Sequence, residues 1–209
     1  MKDGKQEGVS KRYYENGQLE QKVNYKDGEQ HGIYEEYYEN GQLKQKINLK
    51  DGKEDGLWRD YYENGQLEKE GNWKDGKQEG LWKLYYENGK LWSEINFKNG
   101  KLKWEGKINL IGNRSGVWKY YHENGKLEVE VNYKNGKKDG LCKYYYYNGQ
   151  LKREGNFKDG ESQGLWKNYR VNGLLQSETN YKNGKLEGIA KSYYENGQLK
   201  SETNYKNGK

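Results

Sequence analysis

Apolar and polar side chains alternate with a period of two along most of this chain, which predicts β-strands with two unlike faces. Leu19, Val23 and Tyr25, then Leu43, Ile47 and Leu49, Leu91, Ile95 and Phe97, and Leu127, Val129, Val131 and Tyr133 fall on one side. Lys22, Lys46, Glu70, Glu94, Glu130 and Glu154 fall on the other. A second kind of strand reads Gly-apolar-Trp-x-x-Tyr-Tyr, as in Gly56 to Tyr62 and Gly80 to Tyr86. In it Leu57 and Tyr61 share one face while Trp58 and Tyr62 share the other, so rings stand on both.

Glycines punctuate the strands. Asn-Gly pairs fall at Gly17, Gly41, Gly65 and Gly89, then at Gly125, Gly149, Gly173 and Gly197, in steps of 24 interrupted by one of 36. Asn-Gly suits a type I′ turn, in which both central residues take positive φ, and these eight are predicted as such hairpin turns. A second set, Gly4, Gly28, Gly52, Gly76, Gly100, Gly136, Gly160, Gly184 and Gly208, lies mostly in Lys-Asp-Gly or Lys-Asn-Gly and marks the opposite turns. A third set, such as Gly32, Gly56, Gly80 and Gly116, opens the tryptophan strands, where a neighbouring ring is expected to lie across bare backbone.

The break in the period is itself informative. Leu102 to Leu110 reads as a duplicated strand between turns near Gly100 and Gly112, so segments of 12 from Gly4 to Gly208 give 17 strands. An extra strand reverses all that follow. The turns at Gly17 to Gly89 are therefore expected on one edge and those at Gly125 to Gly197 on the other. The predicted fold is all-β: an elongated, open antiparallel meander of tandem 24-residue hairpins in a twisted single-layer sheet. It is read as one array over 1–209, with an irregular strand at about 100–112 dividing 1–98 from 113–209.

Composition changes the picture of the core. Apolar residues make up 31% and mean hydropathy is −1.50, yet aromatics reach 15%, with 22 tyrosines, so stacked rings replace the usual aliphatic interior. Proline is absent, as long ladders require. Lysine and arginine (38) outnumber aspartate and glutamate (32), but the signs alternate and no basic block or nucleic-acid module appears. The opening residues, Met1-Lys2-Asp3-Gly4-Lys5, lack the apolar core of a secretory signal, and no run reaches the length of a membrane span. The chain is expected in the cytoplasm. It starts and stops in mid-repeat, so a secreted or surface-attached location after loss of a leader stays open.

Candidate chemistry is sparse. His31 and His122 stand in different repeats and make neither a relay nor a zinc site. Cys142, the single cysteine, occupies a tryptophan place and reads as a smaller packing residue. Glu35 and Glu36 point to opposite faces and cannot act together on one substrate. The glycine turns lack the following helix that would hold a phosphate. No enzyme, cofactor or metal is expected. A binding patch is expected among Trp58, Trp73, Trp82, Trp92, Trp104 and Trp118, with Tyr62 and Tyr86, because tryptophans cluster in the middle repeats.

The recurring Gly-x-Trp-x-x-Tyr-Tyr-x-Asn-Gly-x-Leu and Glu-x-Asn-Tyr-Lys-Asn-Gly-Lys-x-x-Gly, seen at Gly116 to Leu127 and Glu130 to Gly140 with His122 in the second tyrosine place, resembles the MORN repeat family. Within it the chain is similar to the bacterial variant class found in YwqK-like antitoxins. The resemblance covers nearly the whole chain and departs from the motif at Cys142, Ala190 and Arg170. It implies a hairpin meander without chemistry of its own, used to bind proteins or acidic phospholipids. The leading expectation is a non-catalytic scaffold for another protein, in the antitoxin version a toxin. Alternatives are peripheral binding to anionic membrane through the turn lysines, and cell-surface glycan or choline binding by aromatic cages. Edge-to-edge homodimers are a further expectation.

Overall fold

The structure is a computed structural model that describes residues 5–209; the turn expected at Gly4 lies outside them. Among the described residues there are seventeen strands and no helix. Two compact units divide the chain, Met1–Leu102 and Lys103–Lys209. The first holds β1 (Gly8–Tyr13), β2 (Leu19–Lys26), β3 (Glu29–Tyr37), β4 (Leu43–Lys50), β5 (Lys53–Tyr61), β6 (Leu67–Lys74), β7 (Lys77–Tyr85) and β8 (Leu91–Lys98). The unit boundary falls inside β9 (Lys101–Ile108). The second unit continues with β10 (Arg114–Tyr121), β11 (Leu127–Lys134), β12 (Lys137–Tyr145) and β13 (Leu151–Lys158). It ends with β14 (Glu161–Tyr169), β15 (Leu175–Lys182), β16 (Lys185–Tyr193) and β17 (Leu199–Tyr205). Within each unit every strand pairs antiparallel with its chain neighbours, and among the described residues of a unit no further pairing closes a barrel. The fold is an all-β meander of tandem hairpins.

The two kinds of turn exchange the chemistry expected of them. Lys50 pairs directly with Lys53, leaving a two-residue loop in which Asp51 (φ 50°) and Gly52 (φ 74°) both take the left-handed conformation. That is the type I′ turn whose twist matches the flanking strands. The turns of the first set, Gly17 to Gly89 and Gly125 to Gly197, are longer, as where Tyr13 pairs with Leu19 across five residues. There the Gly17 N–H donates to Tyr14 O at 3.0 Å and the Tyr14 N–H to Gln18 O at 2.9 Å, with only Gly17 at positive φ (83°). This is a type I turn closed by a glycine bulge. Asn16 serves otherwise: its Oδ1 accepts from the Gln18 N–H at 2.9 Å and its Nδ2 donates to Glu39 O, one repeat on, at 3.1 Å.

The extra strand acts as its length requires. In the first unit the five-residue turns at Gly17, Gly41, Gly65 and Gly89 follow odd-numbered strands. In the second, the turn at Gly112 has the same five-residue pattern and follows β9, whereas those at Gly125, Gly149, Gly173 and Gly197 follow even-numbered strands. Gly112 and Gly125 thus sit at opposite ends of β10.

Candidate interaction surface

One face of each unit carries the row that holds the buried indoles. Registered partners share a face, and in the first unit a single row runs Val23, Tyr34, Ile47, Trp58, Gly71, with Trp82 and Ile95 beyond. In the second it runs Trp118, Val131, Cys142, Gly155, then Trp166, Thr179, Ala190, Thr203. Bulk alternates along it. The indoles of Trp82, Trp118 and Trp166 lie flat on Gly71, Gly106 and Gly155 of the preceding strand, where a Cβ would fall inside the ring. Cations cover two of them from outside: Lys69 Nζ stands 4.8 Å from the Trp82 ring and the Arg153 guanidinium 4.3 Å from that of Trp166. Trp118 has Trp104 stacked on it at 5.4 Å and the Arg114 guanidinium 4.3 Å from its ring.

The expectation that rings lie on Gly32, Gly56, Gly80 and Gly116 is therefore corrected. Asn24 and Asn48 stand nearest the first two, nothing comes within 4 Å of the other two, and all four have positive φ. The rings choose glycines that face the row instead. Where the preceding strand offers Val131 or Thr179, the facing residue shrinks to Cys142 or Ala190. In these two pairs the volumes compensate, whereas in the first unit Ile47 faces Trp58, which stays half-buried. Cys142 is fully buried, and burial pushes its thiol up from the ordinary range.

This packing decides what the tryptophans offer. Trp82 (1% exposed) and Trp118 (0%) do not reach the surface. Trp58 and Trp73 are half-buried beside Trp82, with Trp58 and Trp73 at 5.6 Å and Trp73 and Trp82 at 6.0 Å, and the Trp58 indole N–H donates to Asp60 at 3.0 Å; in the second unit Trp104 is half-buried against Trp118. Trp92 stands apart, half-buried against exposed Tyr86 with ring centroids 6.0 Å apart.

Tyr62 is committed to the scaffold. Its hydroxyl donates to Tyr85 O at 2.7 Å, 23 residues on, and Tyr14, Tyr38 and Tyr146 make the same bond to Tyr37, Tyr61 and Tyr169. His122 Nε2 (3.2 Å from Tyr145 O) and Arg170 Nη2 (2.9 Å from Tyr193 O) take over the link where tyrosine is absent. The place selects a donor of sufficient reach. Tyr62→Phe is expected to destabilise the first unit by about 1 kcal/mol, as one net hydrogen bond, read from urea unfolding. On the other turns, acceptors such as Glu79 and Asp139 take the backbone N–H of Asn99 and Asp159 in the next repeat. His31 fills that place opposite Asp51.

The opposite face is organised by charge. In the second unit Glu105, Lys119, Glu130, Lys143, Glu154, Lys167, Glu178, Lys191 and Glu202 face one another in unbroken alternation. The first unit reads Lys11, Lys22, Glu35, Lys46, Arg59, Glu70, Lys83, Glu94. First-place tyrosines bind the glutamates, Tyr85 to Glu70 at 3.0 Å, Tyr121 to Glu105 at 2.7 Å and Tyr169 to Glu154 at 2.8 Å. Beside the ladder runs an apolar row, Ile33, Leu57, Leu81 and then Val117, Leu141, Leu165, Ile189, each set across from an asparagine. Leu81 to Ile189 are about 40% exposed (38–44%). The signal for this row was the apolar residue after each third glycine. Among the described residues no group of three or more His, Cys, Asp and Glu is placed to hold a metal ion.

The MORN repeat variant model matches seven stretches, 6–27, 30–51, 54–75, 78–99, 114–135, 138–159 and 186–207. No curated protein matches. A chain of the TcdB2-TccC3-Cdc42 crystal structure is similar over 92% of this chain and 12% of that one, at 13% identity and a TM-score of 0.23, a likeness that bears on neither fold nor function. The unmatched hairpin, residues 162–183, carries Arg170 in the tyrosine place yet keeps the same turn and the same link. With one hairpin unit repeated over more than half its length, the chain belongs to the MORN repeat variant family and is a repeat scaffold.

Proposed function

We propose that the chain is a non-catalytic scaffold that binds another protein across its charged face. The supporting observation is the row of half-exposed aliphatic side chains beside an alternating ladder, recurring once per repeat. Such a surface supplies apolar contact area with polar flanks, the anatomy of a protein interface. In the second unit the ladder neutralises itself over one strand spacing, so it gives register to a partner more than long-range attraction. Every repeat offers the same small contact, and affinity accumulates with the number engaged. In the toxin-neutralising version, the partner is a toxin held along this face.

Leu141→Lys with Leu165→Lys tests the reading, since both side chains are exposed and neither belongs to the ring row. Partners captured by the wild-type chain from its own cells are expected to be lost from this variant and kept by Tyr62→Phe. Equal capture by both variants counts against the charged face. A second reading, peripheral attachment to anionic membrane, draws on lysines that face each other at the type I′ turns, Lys50 with Lys53, Lys74 with Lys77, Lys134 with Lys137 and Lys182 with Lys185. Each basic residue near the surface adds about 1 kcal/mol. Sedimentation with anionic but not neutral vesicles, lost at raised salt, is its signature.

A further inference from the structure

The ladder of the first unit has a fault in mid-row. Lys46 and Arg59 are register partners with no carboxylate between them. Each leans to the far side: Lys46 Nζ donates to Glu35 at 2.8 Å, and Arg59 Nε to Glu70 at 3.4 Å. Their side chains remain 38% and 40% exposed. Tyr61 completes the group. Tyr85, one repeat later, uses its hydroxyl to bind Glu70, and the residue standing where Glu70 stands is, for Tyr61, Lys46. Tyr37 meets the same difficulty at Lys22 and turns to Glu35 on its own strand, but Tyr61 has Arg59 there.

We infer that Lys46, Arg59 and Tyr61 form a receptor for one carboxylate, supplied by an acidic side chain of a protein partner. The chain itself displays the occupied form of such a site. Glu35 is held by Lys22 at 3.1 Å, Lys46 at 2.8 Å and Tyr37 at 3.3 Å, two cations and a phenol around one carboxylate. The fault offers the remaining N–H donors of Lys46 and Arg59, together with Tyr61, and no acid between the two cations. A guanidinium presents a planar fork that matches a carboxylate, and charge-assisted bonds are the stronger ones. Ile33 and Leu57, next to Glu35 and Arg59 on the same face, favour an acid flanked by aliphatic residues over a free anion. Lys11 and Lys22 form a like-charged pair too, but there Tyr37, which stands to Lys22 as Tyr61 stands to Lys46, is already bonded to Glu35.

This inference rests on the scaffold reading and is tested apart from it, with a defined probe. Acetyl-Leu-Glu-Leu-amide is titrated into the full chain while the Arg59 Nε–H and the lysine side-chain signals are followed by NMR, with acetyl-Leu-Gln-Leu-amide and inorganic phosphate in parallel. Saturable shifts at Arg59 and Lys46 with the glutamate peptide are expected, in the millimolar range of a single contact. Binding is expected to weaken about tenfold or more with the glutamine peptide, and likewise in Arg59→Gln and in Lys46→Gln, while Lys143→Gln in the unfaulted ladder leaves it unchanged. Equal response to both peptides, equal shifts at Lys119 and Lys143, or saturation by phosphate alone overturns the inference. Those outcomes leave the apolar row untouched and are distinct from failure of the Leu141 and Leu165 test.

Discussion

Gly155→Val is expected to destabilise the second unit by about 3 kcal/mol, at the upper end of overpacking costs. Valine stands at the equivalent place in β11, so neither strand propensity nor polarity opposes it. What opposes it is Trp166, whose indole rests on the bare Gly155 backbone under the Arg153 guanidinium. The new side chain must displace both. Trp166→Cys alone leaves a void of indole size and costs a similar amount, about 3–5 kcal/mol. Together the two changes recreate the pairing that Val131 and Cys142 already make. The double variant is therefore expected to lie about 2–3 kcal/mol above the sum of the singles, a coupling at the top of the usual range. Guanidinium unfolding of the four proteins reads it. Simple additivity would mean that glycine and tryptophan are independent and that bulk does not alternate along the row for packing reasons.

High pH is expected to unfold the protein cooperatively. Burial, with a hydrogen bond to Glu70 in one case and Glu154 in the other, pushes Tyr85 and Tyr169 up to about 12. Burial with Tyr133 alongside does the same for Tyr120, against the opposing Arg114, and burial with Cys142 for Tyr144. Tyr121, buried and bonded to Glu105, is raised further. Unfolded tyrosines release their protons near pH 10, so above that the native state binds more protons than the unfolded one and stability falls as pH rises. The contribution is complete below about pH 10 and is lost between about 10 and 12. Lys44 and Lys46, raised by hydrogen bonds to Glu36 and Glu35, act with the same sign. Phenolate absorbance is expected to appear in one step together with loss of structure. A smooth tyrosine titration with the fold intact would show that the phenol-to-glutamate contacts do not hold the ladder. At the acid end, Glu35, lowered chiefly by its bond from Lys46, loses its contribution as pH falls through the carboxylate range.

The period, the strand count, the extra strand and the two-faced alternation were legible because each follows from glycine spacing and side-chain parity alone. The turn types were not. An Asn-Gly pair is compatible with either a two-residue type I′ loop or a longer type I loop with a glycine bulge, and what separates them is whether Tyr13 pairs with Leu19, a fact of register. The tryptophans misled in a related way. A ring on a single-layer sheet looks available until its neighbour proves to be glycine, and the cue was present: Lys69-x-Gly71, Trp104-x-Gly106 and Arg153-x-Gly155 each precede a tryptophan of the next strand. The glutamate and lysine places of the second strands were read to the correct side. Their partners, Arg59, Lys83 or Lys167, went unread, since only the register shows that charges on different strands meet.

The direct test of the two-faced scaffold is hydroxyl-radical footprinting of the folded chain with residue-level mass spectrometry. Indole is intrinsically the more reactive group, yet Trp82, Trp118 and Trp166 are expected to stay unmodified while Leu81, Leu141 and Leu165 are oxidised, because the rings are buried and the aliphatic row is open. Oxidation of those three tryptophans ahead of the leucines would place the rings at the surface and contradict both the packing and the face assigned to partners.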